Sequence, residues 1–276
     1  MNAFFTIVGV TLAEARRRKI LYAALFFGTA FLALFALGFF FAAREVRAEE
    51  PPVSQRFILT FFIMGGLYAI NFLTVMTAAF TPVDTLSGEI SSGVMQTVAA
   101  KPIRRSTILL GKWFGYLILL AGYLALMSGG VLVIARIIGG VTPPGVAIGI
   151  PLMLLEGTVI LTLSIAGGTR LSTIANGVAV FGLYGLGFLG GWLEQISALA
   201  HNDSVSSIGT AVSLFVPSES MWQLAAWHMQ PAVMRDLNLT PFSPAAVPSP
   251  LMVTWTGVYI LLVLAFALRS FSRRPL

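Results

Sequence analysis

Residues 84–112 read DTLSGEISSGVMQTVAAKPIRRSTILLGK, a polar stretch between two long apolar segments. It holds two acidic and four basic residues, whereas more than twenty residues on either side carry no charge. Charged side chains are costly inside a lipid bilayer, so this stretch is expected to lie in water. It therefore predicts a loop that joins two membrane helices and that a soluble partner can reach.

The composition of the whole chain indicates a membrane protein. Of its 276 residues, 57% are hydrophobic and 10% are charged, and the mean hydropathy is +0.88. Soluble domains carry about 25% charged residues. Because about 20 helical residues cross the hydrocarbon core of a bilayer, the apolar runs predict an all-α polytopic membrane protein with six transmembrane helices.

The predicted segments follow each other in a single domain, 1–276. The first, 1–19, is amphipathic, ends in a basic cluster and predicts a helix that lies in the membrane interface. The six predicted spans are 20–43, 57–81, 113–138, 146–168, 174–193 and 251–268. The longer connections are an external loop at 44–56, the central loop at 82–112 and an external segment at 194–250. This last segment is expected to form short helices on, or dipping into, the outer surface.

Basic residues are unevenly distributed among the connecting segments. Most of the 17 Lys and Arg residues lie in 16–19, in the loop 82–112, at Arg170 and in the tail 269–274. Because cytoplasmic loops are enriched in Lys and Arg, both termini and the central loop are predicted to be cytoplasmic. The chain is thus predicted to be a multi-pass protein of the cytoplasmic (inner) membrane. This distribution explains the net charge of +6 without a nucleic-acid partner.

Residues that could catalyse a reaction or bind a metal are scarce. The chain has no Cys, and its two histidines, His201 and His228, both lie in the external segment. Gly111-Lys112 is followed by Trp113, so the chain lacks the phosphate-binding loop that ends in Lys-Ser or Lys-Thr. The sequence predicts a chain that is not an enzyme and that itself holds no cofactor and no metal.

Glu156 is the one carboxylate well inside a predicted span. An ionisable residue within a membrane is a functional candidate by default, and Glu156 could carry protons. It could also be a protonated or hydrogen-bonded side chain that faces the helix bundle. A proton-coupled transporter usually has several such residues, which favours the second interpretation.

The second predicted span carries a row of polar residues that includes Asn71, Thr74 and Thr77. Spacings of three and four residues place them largely on one helix face. They could form a polar wall of a transport pathway or hydrogen bonds between helices, and the two interpretations are compatible. Asn176 in the fifth span is assigned to the same candidate pathway, together with Glu156.

Two patterns of small residues indicate close helix contacts, namely Gly111-x-x-x-Gly115 and Gly187-x-x-x-Gly191. Within the central loop, 84–98 is predicted to be a helix that is interrupted at Gly88 and Gly93. Pro102 is expected to stop this helix, and Ser106 is expected to cap the next one. Two short helices would then form a rigid lever between the second and third spans.

The order of residues in the central loop resembles the first cytoplasmic loop of permeases from type-two ATP-binding cassette exporters. The resemblance rests on an acidic residue, a Gly-Glu, a later Gly, a Pro-x-x-Arg and a Gly-Lys before the third span. In that family, the loop sits in a cleft of the ATPase subunit and transmits its closure to the spans. By position, the resemblance implies that the coupling residues are Asp84, Gly88, Glu89, Gly93, Pro102, Arg104, Arg105 and Lys112.

The resemblance implies a transport function and a set of partners. The chain would be the permease subunit that moves a substrate, by export, across the cytoplasmic membrane. It would pair with a second permease copy and with separate ABC ATPase subunits, which would bind ATP and Mg²⁺, and it would contact membrane lipid. The second and fifth spans would flank the pathway at the interface between the permease copies.

Two other classes of function remain open from the sequence. One is a proton-coupled secondary transporter that uses Glu156. The other is a membrane scaffold or an intramembrane enzyme, which the lack of paired catalytic residues disfavours. A neighbouring gene for a soluble protein with a phosphate-binding loop would favour the permease over both.

Overall fold

The computed structural model describes residues 3–17, 19–93, 103–200, 203–236 and 246–274, and it contains no strand within these ranges. The helices are α1 (Ala3–Arg17), α2 (Lys19–Glu49), α3 (Pro52–Phe80), α4 (Thr85–Ser91), α5 (Arg105–Ile134), α6 (Val146–Gly168), α7 (Thr173–Ala200), α8 (Asp203–Phe215), α9 (Ser218–Met229), α10 (Ala232–Asp236) and α11 (Leu251–Arg273). A π-helical turn, Ala135–Gly139, extends α5. Six of the described helices, α2, α3, α5, α6, α7 and α11, are long and apolar enough to cross a membrane. The prediction of an all-α polytopic membrane protein is confirmed.

The first span is longer than predicted. The sequence places an external loop at 44–56, but α2 continues to Glu49 and α3 begins at Pro52. The polar residues of 44–49 are compatible with a helix, because Arg, Glu and Ala have high helix propensity. The chain turns only at Pro51, which cannot continue a helix because its ring clashes with the preceding turn. The prediction of a loop at 44–56 is therefore wrong for most of these residues, which are helical.

Helix α1 packs against the start of α5 through the first of the two glycine patterns. A Cβ atom at Gly111 would lie 2.7 Å from Cγ2 of Ile7, and a Cβ at Gly115 would lie 2.9 Å from Cβ of Thr11. Both distances are shorter than ordinary carbon contacts, so only glycine allows α1 to approach this closely. The close helix contact predicted from Gly111-x-x-x-Gly115 is confirmed.

Helices α8 and α9 form a hairpin that folds back into the helix bundle. Along α8, Gly209 lies against Glu194, and Val212 lies against Gly190. The chain therefore runs back alongside α7 and reaches Gly187 at its turn, where Val216 and Ser218 make contact. The predicted short helices of this segment are present as α8 and α9, and their place at the outer membrane surface stays a prediction. Helix α7, the fifth span, extends beyond its predicted end at 193.

Helix α9 then rises along α6. Its last residues, His228 and Met229, contact Gly145 and Gly149 at the start of α6. The ring of Trp222 in the first half of α9 packs against Tyr68 of α3, one turn before Asn71, which is bonded to Glu156. Glu156 is about 15 Å from the start of α6 at a rise of 1.5 Å per residue. The tip of the hairpin therefore lies near half the depth of a bilayer core.

The apolar core has two parts. One lies at the end of the bundle that carries α4, where buried side chains of α3, α4, α5, α6 and α11 pack together, among them Leu86, Tyr116 and Phe271. We call this end of the bundle the loop end. The other part surrounds α9 and contains Trp222, Met221 and Met229 together with Phe39 of α2. Helix α9 is thus a core helix, although it is too short to span.

Candidate functional site

Helix α4, the described helix of the central loop, is bonded directly to two spans. Oγ1 of Thr173 at the start of α7 donates to Oδ1 of Asp84 at 2.9 Å, and it also lies 2.9 Å from Oγ of Ser87. On another side, Oγ1 of Thr85 and the hydroxyl of Tyr116 in α5 form a buried hydrogen bond. These contacts fix α4 to both α5 and α7.

Gly88 has a different role from the one predicted. It does not interrupt α4, which runs from Thr85 to Ser91 through this position. A Cβ atom at Gly88 would collide with the carboxylate of Asp84, so glycine makes room for that carboxylate beside the helix. Gly93, with φ of 76°, follows the helix end and agrees with the predicted interruption. The rest of the predicted helix, 94–98, and Pro102 lie outside the described residues.

Glu89 and Lys112 form an ion pair within the chain. Nζ of Lys112 lies 2.5 Å from Oε1 of Glu89 and 3.7 Å from Oε2 of Glu14, which is in α1. The side chains of Lys112 and Glu89 are only 7% and 14% exposed. The prediction that they are exposed charges is therefore wrong. They join α1, α4 and α5, and a direct contact of either residue with an ATPase stays a prediction.

The two arginines before α5 lie in different environments. Arg104 precedes the helix and is exposed. Arg105 donates to the carbonyl oxygens of Ser272 and Arg274, at 3.1 and 2.7 Å. These carbonyls lie at the end of α11, where a helix carries partial negative charge, so Arg105 ties α5 to α11. The predicted cap at Ser106 is wrong, since α5 begins at Arg105 without a side-chain cap.

The turn between α6 and α7 is bonded to the end of α11 as well. Nε of Arg170 donates to Oγ of Ser270 at 2.9 Å, and Oγ1 of Thr169 donates to the same atom at 2.9 Å. Arg274 in turn donates to the carbonyl oxygen of Thr169. The contacts at the loop end thus connect α4, α5, α7 and α11 in one network. We call this network the polar layer; its members are Asp84, Thr85, Ser87, Glu89, Arg105, Lys112, Tyr116, Thr169, Arg170, Thr173, Asn176, Ser270 and Arg274.

Asn176 belongs to this polar layer. Its Nδ2 donates to the carbonyl oxygens of Ser164 at 2.8 Å and Val83 at 3.3 Å, and its side chain is fully buried. It therefore holds the start of α7 against α6 and against the segment that precedes α4. The structure places Asn176 among these anchoring contacts, and a role in the transport pathway stays a prediction.

The other candidate pathway residues lie deeper in the bundle. Nδ2 of Asn71 donates to Oε2 of Glu156 at 2.8 Å, and both residues are buried. Thr74 and Thr77 donate to carbonyl oxygens of their own helix, one turn earlier. The interpretation of Glu156 as a hydrogen-bonded residue that faces the bundle is confirmed. A conduit along Asn71, Thr74 and Thr77 stays a prediction.

Sequence reasoning missed two buried polar residues of α9, Glu219 and Gln223. Both are at least nine-tenths buried, and both contact Gly191 of α7. Burial raises the pKa of the Glu219 carboxyl to about 8. The Gly187-x-x-x-Gly191 pattern was the one signal for them, because it marks the face of α7 against which α9 packs.

One comparison with known protein families gives a match. A family model described as ABC-2 family transporter protein matches residues 3–276. No curated protein is similar enough to the chain to count as a relative. The match covers all six membrane-capable helices and the central loop.

Proposed function

Because the chain belongs to the ABC-2 family of transporter proteins, we propose that it is the permease subunit of an exporter. It is a multi-pass membrane component of an ABC transporter. In this proposal, ATP hydrolysis on separate ATPase subunits drives the transport. ATP and Mg²⁺ bind to those subunits, and the chain itself binds neither. The loop end faces the cytoplasm of the cell, in the inner membrane.

The observation that carries the proposal is the polar layer. Helix α4 is bonded to α5 through Thr85 and the Glu89–Lys112 ion pair, and to α7 through Asp84. Because these contacts run directly from α4, and from Asp84 just before it, to α5 and α7, we expect a push on α4 to move the ends of both spans. A subunit that closes on ATP could use this connection to change the arrangement of the spans.

Exposed residues beside the polar layer are available to an ATPase subunit. Ser92 at the end of α4 and Arg104 before α5 are both exposed, and they flank the part of the central loop that lies outside the described residues. We assign the docking surface to the end of α4 and the start of α5, which Ser92 and Arg104 mark. Charges at such a surface contribute to association rate and specificity more than to affinity.

A second permease copy is also part of the proposal. The faces of α3 and α7 that point away from the bundle are apolar, with exposed side chains such as Phe72, Val178, Phe181 and Leu189. Either lipid or another copy can cover such faces in a membrane. The resemblance to exporter permeases implies that these two spans flank the pathway at the interface between copies, and this supports assigning their apolar faces to it.

The proposal is tested by co-expressing the chain with an ABC ATPase from the same genome, a phosphate-loop protein encoded by a neighbouring gene being the first choice where there is one. We expect the two proteins to purify together in equal amounts, and we expect reconstitution with the permease in liposomes to raise the ATPase rate. The control is an ATPase variant without its phosphate-loop lysine, which should assemble without hydrolysing ATP. Transport by the chain alone under an imposed pH gradient, with no complex formed, would overturn the proposal.

A further inference from the structure

A cleft lies between the end of α2 and the π-helical turn, at the end of the bundle opposite the loop end. Its volume is about 580 Å³, which is within the range of sites that hold a small ligand. Two arginines, Arg44 and Arg47, line it together with five apolar residues, among them Phe40 and Ile137. We call it the arginine cleft.

Contacts between α2 and the π-helical turn hold the two walls of the arginine cleft together. Nη2 of Arg47 donates to the carbonyl oxygen of Ile138 at 2.7 Å. The buried ring of Phe39 packs against Gly139, where a Cβ atom would lie 2.9 Å from the ring. Because each wall is bonded to or packed against the other, these contacts set the width of the cleft.

The two arginines have hydrogen-bond donors that no described residue uses. A guanidinium carries five N–H donors. The hydrogen bond to Ile138 takes one donor of Arg47, and Arg44 has no hydrogen bond with any described residue. Neither arginine forms an ion pair within the described part of the chain. Two such charges at one cleft favour an anion, and the planar fork of a guanidinium matches phosphate oxygens.

The acidic residues of α2 lie on a different face of the helix from the arginines. Phe40, Arg44 and Arg47 are spaced by four and three residues, so they share one face. At 3.6 residues per turn, Glu45 and Glu49 lie about 100° and about 140° around the helix from Arg44. The face of α2 that lines the cleft therefore carries positive charge only.

The other charged residues at this end of the bundle do not line the cleft. They are Glu50 in the turn after α2, Arg56 near the start of α3 and Arg136 in the π-helical turn. One negative and two positive charges thus surround the cleft outside α2. The surroundings do not neutralise the two arginines.

The arginine cleft spans the boundary between the hydrocarbon core and the headgroups. At a rise of 1.5 Å per residue, Phe40 lies roughly 31 Å and Arg44 roughly 37 Å along α2 from its start at Lys19. A hydrocarbon core is roughly 30 Å thick. The side chains of Phe40 and Ile137 are 49% and 77% exposed, so the apolar wall is open to lipid, whereas the arginines lie at headgroup level. An occupant that fits both parts is amphipathic.

From this geometry we propose that the arginine cleft binds an anionic phospholipid from the leaflet opposite the loop end. The phosphate of the lipid accepts hydrogen bonds from Arg44 and Arg47, and one acyl chain lies along Phe40 and Ile137. The lipid thereby connects α2 to the extension of α5. Within the most apolar part of α2, only 6% of the residues are buried inside the chain, so a bound lipid adds contacts where the chain itself provides few.

The test measures lipid binding to the purified full-length chain in detergent by native mass spectrometry, with phosphatidylglycerol as the probe. We expect Arg44→Gln to raise the dissociation constant by about tenfold, as is typical when a charge-assisted hydrogen bond is lost. Arg56→Gln is the matched control, because it removes an exposed arginine at the same end of the bundle but outside the cleft. This control should bind as wild type does.

Two further probes separate the phosphate from the acyl chains. Diacylglycerol with the same chains lacks the phosphate, and we expect it to bind at least about tenfold more weakly, for the same reason. Inorganic phosphate lacks the chains, and in excess it should displace little of the phosphatidylglycerol. Equal binding of diacylglycerol, or full displacement by inorganic phosphate, would overturn the assignment to a phospholipid.

A second measurement locates the lipid in the unmodified chain. Phosphatidylglycerol with a photoactivatable acyl chain should crosslink to the peptides that contain Phe40 and Ile137. Crosslinks spread evenly over the six spans would overturn the proposal, and so would equal losses of affinity in Arg44→Gln and Arg56→Gln. Both measurements are made without ATP or an ATPase, so their failure leaves the proposed permease function standing.

Discussion

Replacing Glu89 with alanine is expected to lower the free energy of unfolding by about 3 kcal/mol, because removing one partner of a buried ion pair leaves the other charge uncompensated. Lys112 is 6% exposed, and its remaining ion-pair partner among the described residues would be Glu14, whose carboxylate oxygen is 3.7 Å away. The variant should also lose most of the stimulation of the ATPase, since α4 loses one of its bonds to α5. Thermal unfolding and the ATPase rate of the reconstituted complex measure the two effects.

Glu14→Ala is the matched control for this prediction. It removes a carboxylate from the same lysine, but the Glu14 side chain is 43% exposed and lies farther away. An exposed ion pair contributes about 1 kcal/mol or less, so this variant should stay close to wild type. The exchange Glu89→Lys with Lys112→Glu should recover part of the lost stability. Equal effects of Glu89→Ala and Glu14→Ala would contradict the role assigned to the buried pair.

Gly145→Ala is expected to be the most damaging single methyl addition at the end of the bundle opposite the polar layer. Gly145 has φ of 60°, and a Cβ atom there would collide with the backbone carbonyl of His228 at the end of α9. A backbone atom cannot rotate away as a side chain can, so α9 has to shift. We expect a loss of about 3 kcal/mol or more, combining backbone strain with overpacking.

Gly140→Ala separates strain from collision. Gly140 has φ of 69°, but nothing lies within 4 Å of its Cβ position. This variant carries only the conformational cost of a left-handed residue, about 1–2 kcal/mol. Thermal unfolding of both variants gives the comparison. If the two substitutions cost the same, the end of α9 does not sit against Gly145.

The features that follow from local patterns could be predicted from the sequence. The apolar runs predict the six spans because each run is long enough to cross a bilayer by itself. The pattern Gly111-x-x-x-Gly115 predicts a close contact because glycine removes the side chain that would prevent it. The charged stretch 84–112 predicts the loop between two spans. One of the two interpretations of Glu156, a hydrogen-bonded side chain that faces the bundle, agrees with its bond to Asn71.

The features that depend on distant partners could not be predicted. Lys112 and Glu89 look like exposed charges in a polar loop, and only the approach of α1 and α5 buries them. Arg105 finds its acceptors more than 160 residues away. The polar residues of α9 suggest an aqueous segment, but a re-entrant helix tolerates them where neighbouring helices bury it.

The central claim is that the end of α4 docks into an ATPase subunit and carries its movement to the spans. The most direct measurement is the labelling of Ser92→Cys by a maleimide in inside-out vesicles, with and without the ATPase. The chain has no other Cys, so the rate reports on this position alone. We predict fast labelling of the permease alone and strong protection in the complex. Equal labelling rates with and without the ATPase would contradict the claim.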